Sequence, residues 1–357
     1  MLVLGAGASY AYGGGHYPLG ADLYNDLVDG SRAVEAAART SGGGHDSDGL
    51  ARVIVRAGGG LSQPLTYLVK GGEGQYSWME PEDVLDLARR AVDYDDRHGD
   101  SKAGASVDAL IGSLPPGGRA SDIGRYWLSV RIHGAEANHR RALTPSGKAV
   151  YSVGPKDWQR ESWDWLNHIS RHLDNYLRER RKDRLAFVTF NYDRSVEFYL
   201  AKYFEDRMGL LLDDAYRVAM DRYCPVAHVH GMVEGRYSGG GPPPAYGGMP
   251  DSDYQGGDLY LIGEDADTFR EKSGVPDLMA EADRVVFLGF GYARGNLERI
   301  KPRVPKVGQV VQGTAYKADS AEVERIEREV ESAFGGTIDL FDPNVDCNKA
   351  LDRVWRS

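Results

Sequence analysis

Five short, largely apolar runs set the strongest constraint on how this chain folds: Leu2 to Leu4, Leu185 to Phe190, Val226 to Val229, Val285 to Leu288 and Val310 to Val311. Short apolar runs that do not alternate with polar residues, bounded by glycine or polar turn residues, are what parallel strands buried on both faces look like. Helical spacing follows two of them. Val196, Tyr199, Leu200 and Tyr203 recur after the second run, and Val323, Ile326 and Val330 after the last. Strand followed by amphipathic helix, repeated, predicts an α/β fold with a Rossmann-like, doubly wound parallel sheet.

From about Val34 to Asp183 the pattern changes, with helical periodicities and no strong buried strand. The spacing therefore predicts a nucleotide-binding domain built from residues 1–33 and 184–357, interrupted by a mostly helical insertion at 34–183. Within the insertion, Met79-Glu80-Pro81-Glu82-Asp83 reads as a helix start, because proline fits a first turn and carboxylates favour the positive end of the helix dipole. Its apolar face would be Val84, Leu85, Leu87 and Ala88. A second helix is expected from about Asp157 to Leu177, with Trp158, Trp165, Ile169, Leu173 and Tyr176 near one stripe, a pattern of core packing rather than of a base-stacking platform. Gly13 to Gly15, Gly42 to Gly44 and Gly239 to Gly248 read as loops.

The 357 residues suffice for one large domain with an insertion, and no apolar run is long enough to cross a bilayer. The N-terminal residues show no signal-peptide pattern, so a soluble, cytoplasmic protein is expected. Two cysteines, Cys224 and Cys347, offer neither a disulfide framework nor a four-cysteine zinc site. With 43 basic against 53 acidic residues the net charge is −10, which disfavours general nucleic-acid binding. Arg178 to Arg184, the densest basic cluster, reads as the solvated end of a helix.

Four stretches carry chemistry. Gly5-Ala6-Gly7-Ala8-Ser9 follows the first run, and the missing side chains would let the backbone approach a pyrophosphate. A turn built only for tight packing would look the same. There is no Lys-Ser or Lys-Thr ending, which removes the P-loop ATPase reading. Thr189-Phe190-Asn191-Tyr192-Asp193 ends the most apolar run, where open α/β sheets place their sites, although Asn191 or Asp193 could equally cap a helix. In His228-Val229-His230-Gly231, regular strand would put both imidazoles on one face, and Cys224 is near. No third and fourth metal ligand follows, so no metal is expected; His228 suits a structural role and His230 a general base. Lastly, Phe287-Leu288-Gly289-Phe290-Gly291-Tyr292, with Asn296 after it, ends another strand in glycines.

Taken in this order, with Pro18-Leu19-Gly20 behind the first, the four stretches resemble the sirtuin-like family, most closely the bacterial sirtuin-like domains of antiphage defence. The resemblance covers the Rossmann-type part and skips most of the insertion. It implies NAD as substrate, with Gly5, Ala6, Gly7, Ser9, Gly289, Gly291 and Asn296 at the cofactor. It also implies that Asn191 places water or ribose, that His230 acts on a ribose hydroxyl and that Asp193 lies near nicotinamide. Protein-deacylating sirtuins carry a zinc ribbon held by four cysteines, which two cysteines cannot build, so no zinc is expected and hydrolysis of NAD ranks ahead of deacylation. A silent NAD or ADP-ribose sensor is a further alternative, and an ordinary dehydrogenase ranks below it for want of the acidic ribose-binding residue. Because free NAD hydrolysis would drain the cell, gating by homo-oligomerisation or by a companion ATPase or sensor protein is expected.

Overall fold

The computed structural model describes residues 1–12, 17–18, 20–40, 80–99, 106–142, 164–179, 184–233, 246, 259, 261 and 273–356. In chain order β1 (Leu2–Leu4) leads to α1 (Ala6–Tyr12) and α2 (Gly20–Thr40), then α3 (Pro81–His98), α4 (Val107–Gly112), α5 (Arg119–Ala142) and α6 (Asp164–Glu179). After β2 (Phe187–Thr189) come α7 (Ser195–Met208), α8 (Leu212–Arg217) and a π-helical stretch (Val218–Tyr223) that runs to β3 (Val226–His228). The rest is α9 (Val275–Glu281), β4 (Arg284–Leu288), α10 (Arg294–Ile300), β5 (Val310–Gly313), α11 (Ser320–Phe334), β6 (Ile338–Leu340) and α12 (Cys347–Arg356).

With no polar side chain, β1 needs a strand on each edge and a packed layer on each face. It has both. Leu2 to Leu4 register with Phe187 to Thr189 of β2 on one side and with Val286 to Leu288 of β4 on the other, all parallel. The six strands lie in the order β3-β2-β1-β4-β5-β6, the Rossmann order, with the direction of progress reversing between β1 and β4. β6 escaped the apolar-run reading because it is an edge strand whose middle residue, Asp339, faces solvent.

Alternate strand residues feed two cores. Leu2, Leu4, Phe187, Val286 and Leu288 pack with α6, α7 and α12. Val3, Val188, Ala227, Val285 and Phe287 pack with α9, α10 and α11. A third core lies beside the sheet, where Leu27 of α2, Val84 and Leu87 of α3, Ile111 of α4 and Trp127 of α5 meet. Pro81 opens α3 with Glu82 and Asp83 in its first turn, and Val84, Leu85, Leu87 and Ala88 are its buried face, as the spacing predicts. Tyr24 and Arg32 of α2 bind Asp95 of α3 at 2.7 and 2.6 Å.

Among the described residues, 34–183 contains helices and no strand. Packing nevertheless divides the chain by apolar stripe rather than at residues 34 and 183. Leu23 to Val28 join the helical core, whereas Trp165, Ile169 and Leu173 join the sheet core. Trp158, Gly13 to Gly15 and Gly42 to Gly44 lie outside the described residues, as does Gly239 to Gly248 apart from Tyr246. No helix among the described residues is long and apolar enough to cross a membrane.

Phe187 is wholly buried in the sheet core and Val307 is 99% exposed. Phe187→Ala is expected to cost about 3–5 kcal/mol of unfolding free energy and Val307→Ala less than about 0.5, measured by urea denaturation.

Candidate functional site

At the point where β1 and β4 diverge, each strand ends in a glycine turn, and the two turns press together. Gly5 N–H donates to Leu288 O at 3.0 Å and Gly7 N–H to Gly289 O at 3.2 Å. A Cβ on Gly5 would stand 2.4 Å from Gly289 O, and one on Gly289, whose φ is +56°, would stand 2.3 Å from Ala8 N. Of the two roles open to the first glycine turn, tight packing is therefore built into its geometry, since the Gly5 and Gly7 amides serve the neighbouring turn. Ala6 and Gly291 are exposed, and Gly7, Gly289 and Asn296 are half-buried.

Asn191 follows β2 and turns its side chain toward the first glycine turn. Its Nδ2 donates to Gly5 O at 3.1 Å and to Ser9 Oγ at 2.7 Å. A carbonyl only accepts, so this contact fixes the amide's orientation and leaves Oδ1 as the atom with acceptor capacity to offer. Ser9 Oγ in turn donates to Asp193 Oδ2 at 3.0 Å. The other carboxylate oxygen of Asp193 accepts from the Ser195 main chain at 3.1 Å and from the Ser195 hydroxyl. Burial pushes the Asp193 carboxyl up to about 6, opposed by the Ser195 and Ser9 hydrogen bonds. Asp193 thus holds Ser9 and the start of α7 in place, and both its oxygens are engaged.

His228 and His230 do not share one environment. β3 ends at His228, so the alternation expected of regular strand does not extend to His230. His228 reaches Asn191 O through Nδ1 at 2.8 Å and Glu197 Oε1 through Nε2 at 2.5 Å. His230, 4% exposed, packs against the rings of Phe190 and Tyr192, and its Nδ1 lies 3.3 Å from Arg299 Nη1. A guanidinium can only donate, so Nδ1 accepts and the ring proton sits on Nε2. Cys224 is buried in the sheet core, with its thiol pushed up by burial. Among the described residues, no group of three or more His, Cys, Asp or Glu is placed to hold a metal ion.

Residues far away in sequence hold this turn. Glu136 of α5 takes the Arg194 main-chain N–H at 2.9 Å and its guanidinium at 2.7 Å, in a buried ion pair. Burial alone would push the Glu136 carboxyl up, but Arg194 outweighs it and holds the group below its ordinary value. Tyr192 donates to Asp108 of α4, and Arg299 also donates to Leu261 O at 3.0 Å. Glu136, Arg194 and Arg299 carried no local signal, since each sits in or beside a helix whose sequence is unremarkable and finds its partner only through the fold.

Gly5→Ala is expected to cost about 2 kcal/mol or more, because the Gly289 and Phe290 backbone atoms it would meet cannot give way, whereas Gly291→Ala, which meets open space, stays within about 0.5 kcal/mol. Urea midpoints of the two variants check this. Family models, curated proteins and solved structures offer no match to this chain.

Proposed function

We propose that this chain is a sirtuin-like NAD hydrolase, releasing nicotinamide and ADP-ribose. The observation that carries the reading is one of register. Thr189 pairs with His228 across β2 and β3, so Asn191 and His230 each stand two residues beyond a registered pair, past the ends of adjoining strands. Asn191 also bonds directly to the first glycine turn, at the place where doubly wound sheets bind dinucleotides. Ala6, Gly7, Gly289, Gly291 and Asn296 would lie along the dinucleotide.

In this reaction the bond between nicotinamide and ribose breaks with its electron pair going to nicotinamide, and water adds to the oxocarbenium-like sugar and loses a proton. Asn191 Oδ1 is suited to accept a hydrogen bond from that water or from a ribose hydroxyl. His230, with Arg299 on Nδ1, meets a ribose hydroxyl as a donor through Nε2; acting as a base there would require Arg299 to let go. Asp193 serves as a positioning group for Ser9. We place the activity in antiphage defence through NAD depletion, restrained until self-association or a companion protein releases it.

Incubating the protein with NAD is expected to release nicotinamide and ADP-ribose, and Asn191→Ala and His230→Ala are each expected to lower turnover by about 100-fold or more. Full activity in either variant would defeat the site assignment. Binding of NAD without products would favour a sensor, and O-acetyl-ADP-ribose formed only with acetylated peptide would favour deacylation.

A further inference from the structure

The two imidazoles of His228-Val229-His230 are held by groups of opposite charge, Glu197 for His228 and Arg299 for His230. The hydrolase reading uses only the second. At His228, the partner on Nδ1 is the Asn191 main-chain carbonyl, which accepts and never donates, so Nδ1 carries a proton. On Nε2 sits the Glu197 carboxylate at 2.5 Å. Glu197 is buried, its second oxygen has no hydrogen-bond partner among the described residues, and His228 is the group that compensates it. Asn191 is held at every other hydrogen-bonding atom except Oδ1: its N–H by Thr189 Oγ1 at 3.1 Å, its Nδ2 by Gly5 and Ser9.

We propose that Glu197 and His228 form a positioning pair, in which the imidazolium clamps the Asn191 carbonyl and thereby sets the aim of Asn191 Oδ1. This rests on the reading that Asn191 stands at the reacting centre. A side chain's aim follows its peptide plane, and a misplacement of about 1 Å at a reacting centre can lower a rate about 100-fold.

The charges acting on the imidazole agree with this. Burial disfavours its cationic form, but the Glu197 charge and hydrogen bond, the Asn191 carbonyl and Asp193 together raise its proton affinity above the ordinary value. Arg194, the nearby cation on the same turn, is committed to Glu136. As pH rises past the raised value, Nε2 gives up its proton and its lone pair faces the carboxylate. The ring then loses its hold, and turnover falls on the alkaline side.

The test is nitrogen NMR of the full chain labelled with 15N-histidine, with the His228 signals identified by their loss in His228→Gln. Both His228 ring nitrogens are expected to be protonated at neutral pH in the wild type, and the ring is expected to titrate at least about one pH unit lower in Glu197→Gln. In the same preparations Glu197→Gln is expected to lower kcat by about 10- to 100-fold with KM within about threefold, and to move the alkaline limb of the pH profile down. Glu197→Asp, which keeps the carboxylate, restores part of kcat. A singly protonated His228 in the wild type, or a folded Glu197→Gln with unchanged kcat and pH profile, overturns the proposal. Should Glu197→Gln fail to fold, the wild-type nitrogen signals still decide. A wild type that releases no nicotinamide would sink the hydrolase reading and leave the clamp to be judged by those signals.

Discussion

The contact between two glycine turns governs this molecule. Gly5 and Gly7 lie against Gly289 so closely that no side chain fits at the interface, and the ends of β1 and β4 are locked together there. From that contact a chain of hydrogen bonds runs outward. Gly5 O receives Asn191, Asn191 reaches Ser9, Ser9 reaches Asp193, and Asp193 secures the first residue of α7. A disturbance at the glycines therefore travels to the side chains proposed for chemistry without any of them being altered.

Buried charge gives this region its second constraint. Arg194 with Glu136 ties the turn after β2 to the helical layer, and Glu197 with His228 secures the same turn from beneath. Breaking one partner of such a buried pair typically costs about 3–5 kcal/mol, because the other is left as an uncompensated charge. α5 thus joins the helical layer to the turn that carries Asn191.

The sheet was legible because buried parallel strands need short apolar runs, which β1, β2 and β4 have and which β5 has in Val310 and Val311. β6 was not, since an edge strand can carry Asp339 toward solvent. The positions of Asn191, His230 and the two glycine turns at strand ends were readable from the polar or glycine residue closing each run. What sequence could not supply was partnership across distance: Arg299 beside His230, Glu136 beneath Arg194, and Glu197 beneath His228 are brought together by the fold alone. Glu197 is an acid in the first turn of α7, a common place for one, and only the fold brings it to His228. The glycine turn left two roles open, and the geometry demonstrates close packing, while the exposure of Ala6 is compatible with the ligand role proposed above.

The most direct measurement is a map of backbone amide shifts as ADP-ribose is added to the labelled protein. If the surface over the β1 and β4 turns is the dinucleotide site, the shifts gather at Ala6, Gly7, Gly289, Gly291 and Asn296, while Arg284 and Trp355, which line a cavity at the opposite end of the strands, stay still. Shifts clustered at that opposite end, or none at saturating ligand, would contradict the account.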